Sequence, residues 1–173
     1  MVTVGVYDKS CSGISESLKK YFQDQNIKVK TIDSLDKILS NEFNVIVLNN
    51  INSVPEDVIN KTKFINIHPS LLPAFSGEKA IEETFSSGVK VGGVTIHSVE
   101  ENSADNKIIA QYPVLIGVTT HIDEYTEEIN KTIEKLLPPV VDSLINDRVF
   151  DFLDLFKTGC RNSCSSCSGC GKK

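Results

Sequence analysis

Apolar residues recur along the chain in two patterns, which together predict strands alternating with helices. Short β-branched and aromatic runs bounded by turn residues predict strands at residues 2–7, 27–32, 44–48, 64–67, 92–99 and 107–114. Apolar residues spaced by three and four predict helices at residues 12–25, 33–40, 54–60, 78–87 and 123–146. This alternation indicates an α/β fold, with a mostly parallel sheet and helices on both of its faces.

The helix predicted at residues 123–146 has the most regular apolar pattern. Its apolar positions recur at spacings of three and four: Ile129, Ile133, Leu136, Val140 and Leu144. Pro138 and Pro139 lie inside the same stretch. Because an internal proline removes a helical hydrogen bond and crowds the preceding turn, we expect a kink or a break there.

The strand at residues 64–67 ends in two polar side chains with useful chemistry. Side chains of a strand point alternately to opposite faces, so Asn66 and His68 project from one face between apolar neighbours. Pro69 then ends the strand because it has no N–H for the ladder. An amide can stabilise developing negative charge, and an imidazole can transfer protons at neutral pH. The spacing alone is more typical of ordinary polar residues at a strand end.

A longer motif surrounds this pair and continues into the later strands. It reads Asn66-Ile67-His68-Pro69-Ser70-Leu71-Leu72-Pro73-Ala74-Phe75, then Gly77, and is followed by Gly93-Val94-Thr95-Ile96-His97 and Ile108-Ile109-Ala110-Gln111. This pattern resembles the active-site segment and the next two strands of the folate-dependent formyltransferases. The resemblance extends from about residue 44 to residue 148 and implies their Rossmann-like formyltransferase fold.

The resemblance also implies an activity, the transfer of a formyl group from 10-formyltetrahydrofolate to an amine. The acceptor that it favours is glycinamide ribonucleotide, a substrate of purine biosynthesis. Asn66 would donate a hydrogen bond to the formyl oxygen, and His68 would transfer protons or polarise that oxygen. The segment that follows, Pro69, Ser70, Leu71 and Leu72, would contact substrate.

A third catalytic group, an aspartate in the loop before residues 108–111, is less clearly placed. Gapless counting back from Ile108 puts Ala104 at the position of the family's aspartate, and Asp105 is one residue away. A loop can shift its register more easily than a strand, so Asp105 is our candidate for this carboxylate. The other interpretation is that the carboxylate is lost, which would leave His68 without an orienting partner.

The amino-terminal half departs further from the family pattern. After the first strand, backbone amides at Gly13 and the side chains of Lys9, Ser10 and Ser12 would receive the acceptor's phosphate at a helix start. An ordinary N-capping turn explains the same residues equally well. Between residues 32 and 44 the chain is also roughly thirty residues shorter than the family pattern, although only about 4 to 6 residues are needed to connect two elements.

Two further residues align with family positions, and each also has an ordinary structural explanation. Glu134, on the long helix, aligns with a glutamate near the acceptor site, but a solvated helical glutamate fits equally well. His97 lies in the middle of a strand, where a structural histidine with satisfied hydrogen bonds is the better interpretation.

The last eighteen residues form a second informative segment. Four of the five cysteines lie there, at Cys160, Cys164, Cys167 and Cys170. In a cytosolic protein this spacing favours a zinc ion or an iron–sulfur cluster over a disulfide framework. A disordered Ser- and Gly-rich tail with incidental thiols is the alternative. The predicted organisation is therefore one formyltransferase-like α/β domain at residues 1–155 and a cysteine-rich tail at residues 156–173.

Composition and charge limit the number of domains and the classes of partner that we expect. A chain of 173 residues with 40% apolar and 24% charged residues is ordinary for one globular domain. The net charge is −5, and the tail carries four cationic residues and no acidic one, which leaves −9 on the preceding domain. An acidic domain argues against nucleic acid as a partner, and the absence of a signal peptide or a long apolar run argues against a membrane. We expect a cytoplasmic protein that acts on small molecules, with an oligomeric state that the sequence leaves open.

Two functional hypotheses follow. The first is an enzyme that transfers a formyl group, with a hydrolase that releases formate as a close variant. The second is a non-catalytic or repurposed protein of the same fold, which binds a folate-like or nucleotide-like ligand and carries a metal-binding tail. The loop containing Ala104 and Asp105 is the sequence feature that separates them.

Overall fold

A computed structural model of the chain describes residues 2–8, 13–34, 38, 43–51, 54, 59, 62–100, 107–153 and 155. Its strands are β1 (Val2–Tyr7), β2 (Ile27–Ile32), β3 (Val45–Asn49), β4 (Lys63–His68), β5 (Val91–Val99) and β6 (Ile108–Leu115). Its helices are α1 (Ile14–Tyr21), α2 (Ala80–Ser86) and α3 (Ile122–Ile145). The predicted helices at residues 33–40 and 54–60 lie mostly outside this described part of the chain.

The strands form one sheet in the order β2-β1-β3-β4-β5-β6. The first four of these are parallel to one another, while β5 pairs antiparallel with both β4 and β6. The mostly parallel α/β fold predicted from the sequence is confirmed. Strands β1 and β3 lie in the middle of the parallel part, and their mostly apolar sequences suit burial on both faces.

The sheet separates two apolar clusters. Alternate residues of β3 point to opposite sides, so Val45 and Val47 belong to the first cluster and Ile46 and Leu48 to the second. All three described helices contribute side chains to the first cluster, which we call the helical face. Helices on the second face remain a prediction, because the segments concerned lie outside the described residues.

Helix α3 continues through Pro138 and Pro139, so a break at this point is excluded, whereas a kink stays a prediction. Pro138 has no N–H to donate to the carbonyl of Glu134, one turn earlier. Ser17 of α1 fills that place, because its Oγ donates to the Glu134 carbonyl oxygen at 3.1 Å. A neighbouring helix thus satisfies the group that the proline leaves free, and the buried face of α3 holds the helix together.

The shorter helices end earlier than the sequence pattern suggests. The predicted helix at residues 12–25 ends at Tyr21, and the polar residues that follow form a turn leading into β2. Gly88, with φ of +76°, follows α2 and adopts the left-handed conformation common after a helix end. Within the described ranges no helix is both long enough and apolar enough to cross a membrane.

Candidate active site

A row of polar side chains crosses strands β4, β5 and β6 on the face opposite the helical face. The pairing register places Asn66 beside His97, His68 beside Thr95, and Thr95 beside Gln111. Four of these five are nearly inaccessible, with exposures of 3% for Asn66, 2% for His68, 0% for Thr95 and 4% for His97. Buried polar groups need hydrogen-bond partners, so their contacts define how this site is organised.

Asn66 is held by the backbone that follows β3. Its Oδ1 accepts from the Ile51 N–H at 3.2 Å, and its Nδ2 donates to the Ile51 carbonyl at 3.0 Å. The same Nδ2 lies 3.3 Å from Nε2 of His97. Because Nδ1 of His97 lies 3.0 Å from the Ser98 carbonyl, which can only accept, the neutral ring carries its hydrogen on Nδ1 and accepts from Asn66 at Nε2.

This arrangement bears on the predicted role of Asn66. Both hydrogens of its amide are already directed at acceptors, the Ile51 carbonyl and His97 Nε2. Donation to a formyl oxygen therefore requires that one of these bonds be exchanged, and the longer contact with His97 is the weaker one. His97 itself has partners on both ring nitrogens, which agrees with its interpretation as a structural histidine.

His68 lies at the end of β4 with its Nε2 at 2.9 Å from the carbonyl oxygen of Phe75. Burial lowers the pKa of His68 because it penalises the charged ring, and nearby His97 adds to that effect. The hydrogen bond to the Phe75 carbonyl and the carboxylate of Glu83 raise the pKa. The lowering effects are larger, so the pKa of His68 lies below the ordinary value. His68 is therefore neutral at pH 7, which is the form that accepts a proton.

The segment after His68 turns back over the polar row. Ser70 Oγ donates to the Ala74 carbonyl at 2.6 Å, and the Ala74 N–H donates to the Leu71 carbonyl at 3.0 Å. Ser70 is fully buried, whereas Leu71 and Leu72 are partly exposed. The predicted substrate segment, residues 69–72, thus follows His68 directly and leads into a tight turn closed by the hydrogen bond between Leu71 and Ala74.

Sequence reasoning missed two residues that hold this turn, Thr95 and Gln111. Thr95 Oγ1 donates to the Ser70 carbonyl at 2.7 Å and accepts from the Leu72 N–H at 3.0 Å. Gln111 Nε2 donates to the Leu72 carbonyl at 2.9 Å and to Thr95 Oγ1 at 3.1 Å. The available signal was the spacing Thr95-x-His97, which repeats that of Asn66-x-His68 on the neighbouring strand.

Two residues predicted to bind the acceptor, Gly13 and Glu134, are brought together although they are far apart in the chain. Gly13 precedes α1 with φ of +80°, and a Cβ built on it would lie 3.4 Å from Oε1 of Glu134. Both line an open cleft of about 610 Å³ between α1 and α3. The other lining residues are Glu16, Ser17, Lys20, Lys131 and Lys135.

The remaining predicted site residues lie outside the described part of the chain: Lys9, Ser10, Ser12, Asp105, Cys160, Cys164, Cys167 and Cys170. Their assignments stay predictions. Among the described residues, no three His, Cys, Asp or Glu side chains are grouped closely enough to hold a metal ion.

The fold is that of a formyl-transferring enzyme family. A family model described as "Formyl transferase" matches residues 15–141, and the chain belongs to that family. The match covers most of the described chain, including the polar row and the residues that line the cleft between α1 and α3, except Gly13.

Individual relatives narrow the comparison. The phosphoribosylglycinamide formyltransferase of Bacillus subtilis is 42% identical over 83 residues, which are 48% of this chain and 43% of the relative. The chloroplastic phosphoribosylglycinamide formyltransferase of Vigna unguiculata is 27% identical over 146 residues, covering 80% of this chain and 47% of the relative. The chain therefore spans less than half the length of these relatives.

A solved structure supports the fold independently. Glycinamide ribonucleotide transformylase 1 from Symbiobacterium toebii superimposes with a TM-score of 0.73 at 18% identity, covering 88% of this chain and 92% of that one. The shared identity is low, so this likeness concerns the fold alone. Within the family, the chain is most like the phosphoribosylglycinamide formyltransferases.

Proposed function

We propose that this protein transfers a formyl group from 10-formyltetrahydrofolate to a primary amine. The observation that carries the proposal is the buried pair at the end of β4, an amide and an imidazole two residues apart on one face. The family to which the chain belongs supplies the reaction class. The pair supplies the two functions that acyl transfer needs, a hydrogen-bond donor for an oxyanion and a proton acceptor.

The proposed reaction proceeds through a tetrahedral intermediate. The acceptor amine attacks the formyl carbon, and the electron pair of the carbonyl moves to its oxygen, which Asn66 stabilises by donating a hydrogen bond. His68 accepts the proton that the amine loses. The intermediate then collapses, the carbonyl reforms, and the leaving folate nitrogen takes up a proton that His68 returns. We propose Asp105 as the carboxylate that assists His68.

The acceptor that we propose is glycinamide ribonucleotide. Two observations support it, the names of the relatives and the cleft that joins Gly13 to Glu134. The cleft is lined by three lysines, Lys20, Lys131 and Lys135, and by the carboxylates of Glu16 and Glu134. Lys131 is paired with glutamates of its own helix, so Lys20 and Lys135 are the cations that best suit a phosphate group. Lys9, Ser10 and Ser12 are proposed to complete the phosphate site at the start of α1.

Formyl transfer by the purified full-length chain tests the proposal. We expect turnover with 10-formyltetrahydrofolate and glycinamide ribonucleotide, and much slower turnover with glycinamide, which lacks the ribose phosphate. The measurement is the rate of tetrahydrofolate formation, with the formylated product identified by mass spectrometry. If neither amine gives a formylated product, the proposed formyl transfer is contradicted. Equal rates with the two amines would contradict only the proposed phosphate site.

The cysteine-rich tail is proposed to bind zinc or an iron–sulfur cluster, on the strength of its spacing alone. We expect full-length protein purified without oxygen to contain zinc or iron, and a chain truncated after residue 156 to contain none, by elemental analysis. Metal-free full-length protein would contradict this assignment. A cytoplasmic location likewise stays a prediction from the sequence.

A further inference from the structure

The turn after His68 is built so that its backbone carbonyl groups converge on side chains of the sheet. The Phe75 carbonyl accepts from His68, the Leu72 carbonyl accepts from Gln111, and the Ser70 carbonyl accepts from Thr95. The position of Phe75 relative to His68 therefore depends on how firmly the earlier part of the turn is held.

The hydroxyl of Thr95 is the centre of this arrangement, and its hydrogen-bonding capacity is fully used. It has one hydrogen, which it donates to the Ser70 carbonyl at 2.7 Å. Its two lone pairs accept from the Leu72 N–H at 3.0 Å and from Gln111 Nε2 at 3.1 Å. Since Thr95 is completely buried, water cannot replace any of these bonds without opening the site.

Gln111 has only one amide orientation that fits. Its Nε2 carries two hydrogens, and both have acceptors, the Leu72 carbonyl at 2.9 Å and Thr95 Oγ1. A reversed amide would place an oxygen against the Leu72 carbonyl, and two acceptors repel. Thr95 accepts from the N–H of Leu72 while Gln111 donates to its carbonyl, so the peptide groups on both sides of Leu72 are held.

The hydrogen bond from His68 to Phe75 selects one form of the imidazole. A carbonyl oxygen can only accept, so Nε2 of His68 carries the hydrogen when the ring is neutral, and Nδ1 carries none. If the Phe75 carbonyl moved away, this hydrogen bond would no longer lower the free energy of the Nε2–H form relative to the Nδ1–H form.

We propose that Thr95 and Gln111 are positioning residues, which hold the turn so that the Phe75 carbonyl keeps neutral His68 in its Nε2–H form. In this form Nδ1 is the ring nitrogen that accepts a proton from the attacking amine. The role in catalysis rests on the proposed function, but the form of the ring is a property of the free protein.

Nitrogen NMR of the free full-length protein tests the form of the ring without any assay of activity. The chain has three histidines, so the ring signals of His68 can be assigned by their loss in His68→Gln. Above its pKa we expect His68 with a protonated Nε2 and an unprotonated Nδ1 in the wild type and in Thr95→Ser, which retains the hydroxyl. We expect a mixture of both neutral forms in Thr95→Val and in Gln111→Met.

A matched control and a kinetic comparison complete the test. Gln25→Met makes the same exchange on an exposed turn and should leave the His68 signals unchanged. With glycinamide ribonucleotide as acceptor, Thr95→Val and Gln111→Met should lower kcat/KM by about tenfold to a hundredfold, as expected for a displaced catalytic group. Thr95→Ser should recover most of that loss.

Several results would overturn the inference. A wild-type His68 with its hydrogen on Nδ1 would do so directly, as would unchanged ring signals in folded Thr95→Val and Gln111→Met. Gln111 is only partly buried, so its variant provides the test if Thr95→Val does not fold. If the wild-type protein shows the Nε2–H form but no formyl transfer, the proposed function fails while the positioning role stands.

Discussion

Replacing Asn66 with alanine is expected to lower the turnover of formyl transfer about a hundredfold to a thousandfold, which is the usual cost of removing one donor to an oxyanion. The physical reason is that the amide donates most strongly when negative charge develops on the formyl oxygen. KM should change much less than kcat, because the ground-state carbonyl carries little charge. Steady-state kinetics with glycinamide ribonucleotide and 10-formyltetrahydrofolate measures both parameters.

The same substitution also removes structural hydrogen bonds, and the experiment must separate the two effects. Asn66 bonds the Ile51 backbone through both its oxygen and its nitrogen, so alanine leaves these groups unpaired at a cost of about 1 to 3 kcal/mol. Thermal unfolding gives the temperature at which the variant unfolds, and the assay is run well below that temperature. Asn26→Ala, on an exposed turn, is the matched control and should retain full activity. A folded Asn66→Ala enzyme within tenfold of wild type would contradict the donor role.

The sequence predicts the strands of this protein well and the helices less well, for a physical reason. A strand buried on both faces is mostly apolar, and β3 and β4 each differ from their predicted limits by one residue at both ends. A helix depends on neighbours that the sequence does not reveal. No break occurs at Pro138, and Ser17, more than a hundred residues earlier, satisfies the Glu134 carbonyl that the proline leaves free.

The site residues likewise divide into those that the local sequence reveals and those that depend on distant parts of the chain. Asn66 and His68 are recognisable because alternation within one strand places them together and because the surrounding motif is specific. Thr95 and Gln111 escape notice because their importance depends on the register of two antiparallel pairings, which brings both to the turn after His68. Strand limits alone do not fix register, and a shift of one residue would turn both side chains to the helical face.

Replacing His68 with glutamine is expected to lower kcat/KM by about a hundredfold to ten-thousandfold, the range typical of a lost general base. Glutamine can still donate from its amide to the Phe75 carbonyl, so the turn should keep its support, but it cannot accept and return a proton. His121→Gln, at the exposed start of α3, is the matched control and should behave like the wild type. Nearly full activity in a folded His68→Gln enzyme would contradict the proposed base.

The pH dependence of the wild-type enzyme tests the same role through the protonation of His68. Protonation removes the base, so kcat/KM should be constant at neutral pH and fall tenfold per unit below the His68 pKa. Burial of the ring lowers that pKa, and therefore the fall should begin on the acidic side of the ordinary histidine range.

The carboxylate of Glu83, which raises the pKa of His68 against the effect of burial, offers a way to move this limb. Removing its charge in Glu83→Gln should displace the acidic limb to lower pH without changing the plateau. Glu82→Gln, an exposed neighbour on α2, is the matched control and should leave the limb in place. An acidic limb that does not move in Glu83→Gln, or one that persists in His68→Gln, would assign it to a group other than His68.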